Sequence, residues 1–154
     1  MKIGVDFDNT ICLDEWPEIG RILPGAIETL KELQEKGHDL ILYTQRTDDY
    51  ITYCPELIEY QRKHGGNTVK HTVDLLTPVI DFLKREGLEF YAINQNPEWE
   101  MEKQDYGRKV YLDLLIDDHN AGMTYRKMIN SHGEICKTVD WNWMRRWLVK
   151  EGVL

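Results

Sequence analysis

Two aspartates directly after the first apolar segment limit what this chain can fold into more than any other feature. The segment 2–5 is short and mostly apolar, which predicts a buried β-strand. Asp6 and Asp8 follow it, with Phe7 between them. Side chains two positions apart in an extended chain point the same way, so both carboxylates are predicted to face one cavity. Two close negative charges favour a bound cation or a shared proton, so the pattern predicts a metal site, an acid–base pair or both.

The rest of the sequence alternates between apolar runs of strand length and segments with helical periodicity. The predicted strands are residues 2–5, 40–43, 90–93 and 110–116, and the predicted helices are residues 26–36, 56–63, 71–86, 99–106 and 141–150. This alternation predicts an α/β fold with a mostly parallel central sheet and helices on both faces.

Several segments are harder to interpret. Residues 13–23 lack clear periodicity and are predicted to form a turn and a small flap over the end of the first strand. Residues 121–130 are ambiguous, and residues 134–139 predict a short edge strand. At Pro78 two interpretations remain: Thr77 caps a helix that starts at Pro78, or a longer helix kinks there.

Length, charge and cysteine content restrict the class of protein. With 154 residues the chain is predicted to form a single domain, residues 1–154, with its own core. No apolar run approaches the ~20 residues needed to cross a bilayer, so we expect no membrane partner. The net charge of −8 does not favour nucleic acid as a partner. Three widely spaced cysteines without a Cys-x-x-Cys pattern indicate a reducing, cytoplasmic setting.

Polar side chains follow three of the predicted strands at the points where the strands end. Asp6 and Asp8 follow the first strand, Thr44 follows the second, and Asp117 and Asp118 follow the fourth. The carboxyl ends of parallel strands meet at one edge of a sheet. The sequence therefore predicts that four carboxylates and a hydroxyl converge there.

The order of these residues is similar to the motifs of the haloacid dehalogenase-like (HAD) phosphohydrolase superfamily. The first motif, Asp-x-Asp-x-Thr, is matched by Asp6, Asp8 and Thr10. Thr44 resembles the second motif, and the acidic pair 117–118 resembles the fourth. The resemblance implies a three-layer, Rossmann-like HAD fold and a phosphatase.

The resemblance also implies a lysine shortly before the last strand of the core. Lys103 and Lys109 both fit, and we favour Lys109 because it lies directly on the approach to that strand. The chain between the motifs is short, so no large cap domain is predicted. Residues 13–23 and 48–70 are the candidates for a local cover, and a partner subunit in a homo-oligomer is another.

The resemblance implies a role for each acidic residue. Asp6 would be the nucleophile that forms an aspartyl-phosphate, and Asp8 would be the general acid and base. Mg²⁺ would be held by Asp6, by the backbone carbonyl of Asp8 and by Asp117, with Asp118 as a ligand or as support. Thr10 would brace the first loop.

The phosphate is expected to contact Thr44 and Lys109, with Gln45 and Arg46 beside them. Arg46 is interpreted either as a contact to a second phosphate or carboxylate of the substrate, or as a solvated loop arginine. His119 is predicted to be a loop residue, since magnesium has little use for imidazole. The expected substrate is a small phosphorylated metabolite, with a nucleotide favoured.

Two other functions fit part of the pattern. A receiver-like signalling domain also gathers acidic residues, a threonine and a lysine at strand ends, but it needs its phosphoacceptor on a middle strand. Here the third strand ends in Asn94, and the second acidic pair comes late. A catalytically inactive HAD-fold binding module is the other alternative, and the presence of Asp8 disfavours it.

Overall fold

The computed structural model describes residues 1–51, 54–66, 72–104 and 109–154, which form an α/β fold around a four-stranded parallel sheet flanked by helices. The strands are β1 (Lys2–Val5), β2 (Cys12–Glu15), β3 (Glu18–Ile22), β4 (Asp39–Leu42), β5 (Tyr50–Ile51), β6 (Thr72–Val73), β7 (Ala92–Ile93), β8 (Leu114–Ile116), β9 (Tyr125–Ile129) and β10 (Ile135–Val139). The helices are α1 (Ala26–Glu35), α2 (Pro55–His64), α3 (Thr77–Arg85), α4 (Pro97–Lys103) and α5 (Trp141–Lys150).

The strand β1 lies inside the main sheet, whose order is β7-β4-β1-β8. Val5 pairs in register with Leu42 of β4 on one side and with Ile116 of β8 on the other. Ile3 and Val5 are fully buried. A parallel strand with both faces covered reads as a continuous apolar run, which is why its sequence predicted it well.

Three short antiparallel pairs accompany the main sheet. β2 and β3 form a hairpin in the segment that was predicted to be a flap. β5 pairs with β6. The ambiguous segment 121–130 contains β9, which pairs with β10. The edge strand predicted at 134–139 is therefore β10, and within the described residues it pairs with β9 rather than with the main sheet.

The helix ends follow local capping chemistry. The side chain of Asp140 accepts hydrogen bonds from the backbone N–H groups of Asn142 and Trp143, so α5 has the predicted bounds. The α1 helix ends one residue earlier than predicted, and Gly37 supplies the left-handed turn after it with φ of 80°. No kinked helix spans Pro78, because α3 begins at Thr77.

The cap of α3 differs from both interpretations of that segment. The Asp74 carboxylate accepts the backbone N–H groups of Leu76 and Thr77, so Asp74, and not Thr77, satisfies the donors at this helix start. The predicted helix start at His71 and the predicted helix end at Tyr106 lie outside the described residues. The part of the chain that the structure describes contains no helix long and apolar enough to cross a bilayer.

The main hydrophobic core lies beneath the loop that follows β1. Phe7 and Ile11 of this loop are fully buried, as are Leu30 of α1 and Leu148 of α5. Trp141 is 1% exposed, and its ring Nε1 donates a hydrogen bond of 2.6 Å to the backbone oxygen of the loop residue Thr10. The last helix of the chain therefore holds the first loop in place. A second, smaller cluster contains Leu57, Tyr60, Val73 and Leu75.

Candidate active site

One cavity lies where the four parallel strands end. Asp6 follows β1, Thr44 follows β4, Asn94 follows β7 and Asp117 follows β8, and all four line a cavity of about 480 Å³. This is the position that open parallel sheets use for ligands. The structure also brings Asp8 and Asp118 into the lining, so the four predicted carboxylates share one cavity.

Asp6 lies in the most perturbed electrostatic environment of this group. Burial raises the pKa of the Asp6 carboxyl to about 7. A hydrogen bond from the backbone N–H of Phe7 stabilises the ionised form of Asp6 and lowers its pKa. The negative charges of Asp117 and Asp8 raise this pKa further, as burial does. A carboxyl surrounded in this way is one that a nearby cation would stabilise in its ionised form.

Thr10 connects the two acidic strand ends. The Thr10 hydroxyl donates a hydrogen bond of 3.3 Å to Oδ2 of Asp6. The hydroxyl oxygen of Thr10 in turn accepts the backbone N–H of Asp118 at 3.1 Å. Thr10 is fully buried. These contacts are those of a side chain that fixes the relative position of Asp6 and Asp118, as the bracing role predicts.

Arg46 is not positioned for the predicted contact with a substrate, and this corrects both interpretations made from the sequence. Its Nε and Nη2 atoms form a bidentate pair with the Asp8 carboxylate at 2.8 and 2.7 Å. Nη1 donates to the backbone oxygen of Pro17 at 2.8 Å, and Nη2 also donates to that of Glu18 at 3.0 Å. The side chain is 3% exposed, so the guanidinium is a buried link between Asp8 and the β2–β3 hairpin.

Thr44 and Asn94 are joined at the ends of adjacent strands. The backbone N–H of Thr44 donates to Oδ1 of Asn94, and Nδ2 of Asn94 donates back to the Thr44 carbonyl at 2.7 Å. The Thr44 hydroxyl oxygen accepts the backbone N–H of Arg46 at 3.2 Å. Among the described residues the structure shows no acceptor for the hydroxyl hydrogen of Thr44, so this hydrogen can be donated to an anion in the cavity. Gln45 is exposed and also lines the cavity.

The acidic end of β8 brings three side chains that could ligate a metal close together. Asp117, Asp118 and His119 place one ligand atom each within 4.8 Å of one another. The Asp118 carboxylate, 2.9 Å from Nδ1 of His119, raises the pKa of that imidazole. Asp6 and Asp8 are not part of this group, so the predicted magnesium ligands share the cavity without forming one tight cluster.

Neither candidate lysine lies in the cavity lining. Lys109 is exposed, and within the described residues it forms no ion pair with Asp6 or Asp117. Lys103 is exposed as well and contacts Glu102 and the ring of Trp99. The prediction that Lys109 contacts Asp6 is therefore not met in this structure. In the segment that precedes β8, Val110 lines the cavity and Lys109 does not.

Known proteins provide one point of reference for this geometry. No protein-family model matches the chain, and no curated protein matches it significantly. The solved structure of a conserved protein from Bacteroides thetaiotaomicron is 33% identical, with 99% of this chain and 91% of that chain covered and a TM-score of 0.62. The two chains belong to one family. The Bacteroides thetaiotaomicron relative is described only as a conserved protein, so it assigns no activity to the cavity.

The two segments predicted as a local cover, residues 13–23 and 48–70, each contribute an aromatic side chain to the cavity lining. Trp16 and Tyr50 both line the cavity and pack edge to face, with ring centroids 5.9 Å apart. The Glu18 carboxylate lies 2.7 Å from Nζ of Lys63 on α2. Tyr60 is buried in the second core cluster, so its role is packing, whereas Tyr53 lies outside the described residues.

Several lining residues were not identified as site residues from the sequence. Asn94 could have been, because it directly follows β7, as the predicted site residues follow their strands. Asp14 lies on the hairpin, where its Oδ1 accepts the backbone N–H of Trp16 at 2.9 Å. Its place in the cavity depends on how the hairpin folds back, which no local pattern in the sequence indicates.

Proposed function

We propose that this chain is a magnesium-dependent phosphomonoester hydrolase that acts through an aspartyl-phosphate on Asp6. The observation that supports this best is the convergence of Asp6, Thr44 and Asp117 from three strand ends on one cavity. The proposal includes a three-layer HAD-like fold, a single domain without a large cap, and a cytoplasmic location. The relative from Bacteroides thetaiotaomicron is described only as a conserved protein, so the shared family does not test the proposed activity, layers, domain organisation or location.

In the proposed reaction, a carboxylate oxygen of Asp6 attacks phosphorus, and the bond from phosphorus to the ester oxygen breaks. Asp8 protonates the leaving alcohol. Water then attacks the phosphorus of the aspartyl-phosphate and gives its proton to Asp8, which releases inorganic phosphate and restores Asp6. Thr44 is proposed to donate its hydroxyl hydrogen to a phosphoryl oxygen.

The donor chemistry of the cavity suits magnesium. Mg²⁺ prefers carboxylate and carbonyl oxygens, and Asp6, Asp117 and Asp118 offer such oxygens to one cavity. These residues and the backbone carbonyl of Asp8 are the proposed ligands. When bound, the ion would supply positive charge beside the transferring phosphoryl group. His119 is not required as a ligand.

A purified sample incubated with an aryl phosphate tests the proposal. Phosphate release should require magnesium, should stop on addition of a chelator, and should be absent in Asp6→Asn. A phosphoryl group trapped on any residue other than Asp6 would overturn the assignment. Complete absence of hydrolysis across a broad panel of phosphomonoesters, in folded protein with magnesium present, would contradict the function itself.

The bond between Arg46 and Asp8 favours one second candidate. Both oxygens of Asp8 accept hydrogen bonds from the guanidinium, which restrains the carboxyl that has to move protons. A chain restrained in this way could accept a phosphoryl group on Asp6 and release it slowly, as a receiver-like module does. Incubation with acetyl phosphate separates the two functions, because only the module accumulates phosphorylated Asp6 at steady state.

A further inference from the structure

The hairpin contributes two residues to the cavity that the proposed chemistry does not use. Asp14, at the end of β2, and Trp16, in the turn before β3, both line it. The backbone N–H of Asp14 donates to Oδ1 of Asn9 at 3.2 Å, and Asp14 in turn accepts the N–H of Trp16. The backbone of the hairpin is thus tied at Asp14 to the loop after β1, which carries Asp6 and Asp8.

The charge lining the cavity is strongly one-sided. Five carboxylates contribute to it, namely Asp6, Asp8, Asp14, Asp117 and Asp118. Among the residues that the structure describes, Arg46 is the single lysine or arginine in the lining, and its guanidinium is occupied by Asp8 and two carbonyls. Arg46 is paired with Asp8, and the imidazole of His119, which also lines the cavity, lies beside Asp118. One divalent cation would balance the charges of Asp6 and Asp117, so Asp14 is the carboxylate left without a compensating charge. A second anionic group on the substrate would therefore meet uncompensated negative charge.

The same part of the cavity offers ring surface. Trp16 and Tyr50 are half-buried, and both contribute to the lining. Aromatic side chains of this kind pack on the flat faces of bases and sugars. The cavity volume of about 480 Å³ is in the range that holds a ring-bearing metabolite.

We propose that this site selects phosphomonoesters whose alcohol carries a ring and no second negative charge, with Asp14 and Trp16 as the selecting residues. This inference rests on the proposed hydrolase function and narrows its substrate class. Nucleoside monophosphates and hexose monophosphates belong to the class, whereas bisphosphates and phosphorylated acids do not. Asp14 acts through its charge, and Trp16 acts through contact with the ring.

A hexose series with one ring and different charges tests the contribution of Asp14. Glucosamine 6-phosphate, glucose 6-phosphate and glucose 1,6-bisphosphate should have kcat/KM values that decrease in this order. We expect at least a ~10-fold decrease for the last step, the size of effect that one poorly screened charge produces. In Asp14→Asn, which keeps Oδ1 as the acceptor for Trp16, that ratio should fall several-fold. Asp81→Asn on α3, outside the cavity, is the matched control and should keep the ratio.

The role of Trp16 is tested by comparing adenosine 5′-monophosphate with the acyclic glycerol 3-phosphate. The ratio of their kcat/KM values should fall by roughly tenfold in Trp16→Ala, a typical value for losing one aromatic stacking contact. It should recover in Trp16→Phe and stay unchanged in Trp147→Ala on α5. Comparing the nucleotide with the hexose phosphate shows which ring the site prefers.

Binding to the inactive Asp6→Asn variant, measured by calorimetry, makes the inference testable apart from turnover. Glucose 6-phosphate should bind at least ~10-fold more tightly than glucose 1,6-bisphosphate. Equal binding and equal kcat/KM for the two sugars would overturn the inference while leaving the hydrolase function intact. A chain that binds them in the expected order but hydrolyses no phosphomonoester would contradict the function and keep the inferred selectivity.

Discussion

Replacing Arg46 by methionine should destabilise the folded chain strongly, although Arg46 lies in a loop. The substitution keeps most of the side-chain volume but removes both bonds to Asp8 and the donors to two carbonyl oxygens. Removing one partner of a buried ion pair costs about 3–5 kcal/mol. The Asp8 side chain is 25% exposed and can regain some water, which places the expected loss near the lower end of that range.

The assay is urea unfolding at fixed pH, supported by the thermal midpoint. For a chain of this length, a loss of about 3–5 kcal/mol corresponds to a decrease in Tm of roughly 6–20 °C. The surface pair of Arg145 and Glu32 is a geometric control, because it is also bidentate, with distances of 2.8 and 2.6 Å. Arg145 is about half exposed, so Arg145→Met should have only a small fraction of the effect.

Asp8→Leu completes a double-mutant cycle. Alone it should be at least as damaging as Arg46→Met, since it leaves a guanidinium that is 3% exposed without its partner. The double variant should be much more stable than the sum of the two single losses predicts, because no uncompensated charge remains. Strict additivity of the two losses, or equal effects of Arg46→Met and Arg145→Met, would refute the assignment of Arg46 as a buried structural link.

Three further substitutions test other parts of the site. Asp8→Asn should slow both formation and hydrolysis of the aspartyl-phosphate, by ~10²–10⁴-fold in single-turnover experiments at a temperature where the variant is folded; an unchanged second step would contradict the acid–base role. Trp141→Phe should destabilise by about 1–3 kcal/mol in urea unfolding, because the buried carbonyl of Thr10 loses its donor; no change would mean that the hydrogen bond of 2.6 Å contributes nothing. Thr44→Val should lower kcat/KM for an aryl phosphate by roughly 10–100-fold, the value of a hydrogen bond to a charged group, whereas Thr29→Val, at a buried threonine of α1, should leave it unchanged.

The parts of the fold that the sequence predicted well are those with local causes. The α5 helix has its predicted bounds because Asp140 caps its first turn, and β1 was recognised from a continuous apolar run. The pairing of Asp8 with Arg46 was missed because it joins residues 38 positions apart through the shape of the hairpin, not through a local pattern. Lys109 was predicted to contact Asp6 because of its position shortly before β8 in the sequence. That position does not determine where an exposed side chain points.

The position of β1 in the sheet has a consequence for the order in which the chain folds during translation. β1 is an inner strand of the sheet, and one of its two neighbours is Leu114–Ile116, which is translated much later than β1. Pairings between distant segments form slowly, because a long loop must close before they contribute stability. The loop of Asp6 and Asp8 is fixed still later, when Trp141 reaches the carbonyl of Thr10. Asp6 and Asp8 are therefore translated well before the segments that fix their loop, and the cavity can assemble only after β8 and Trp141 have both been made.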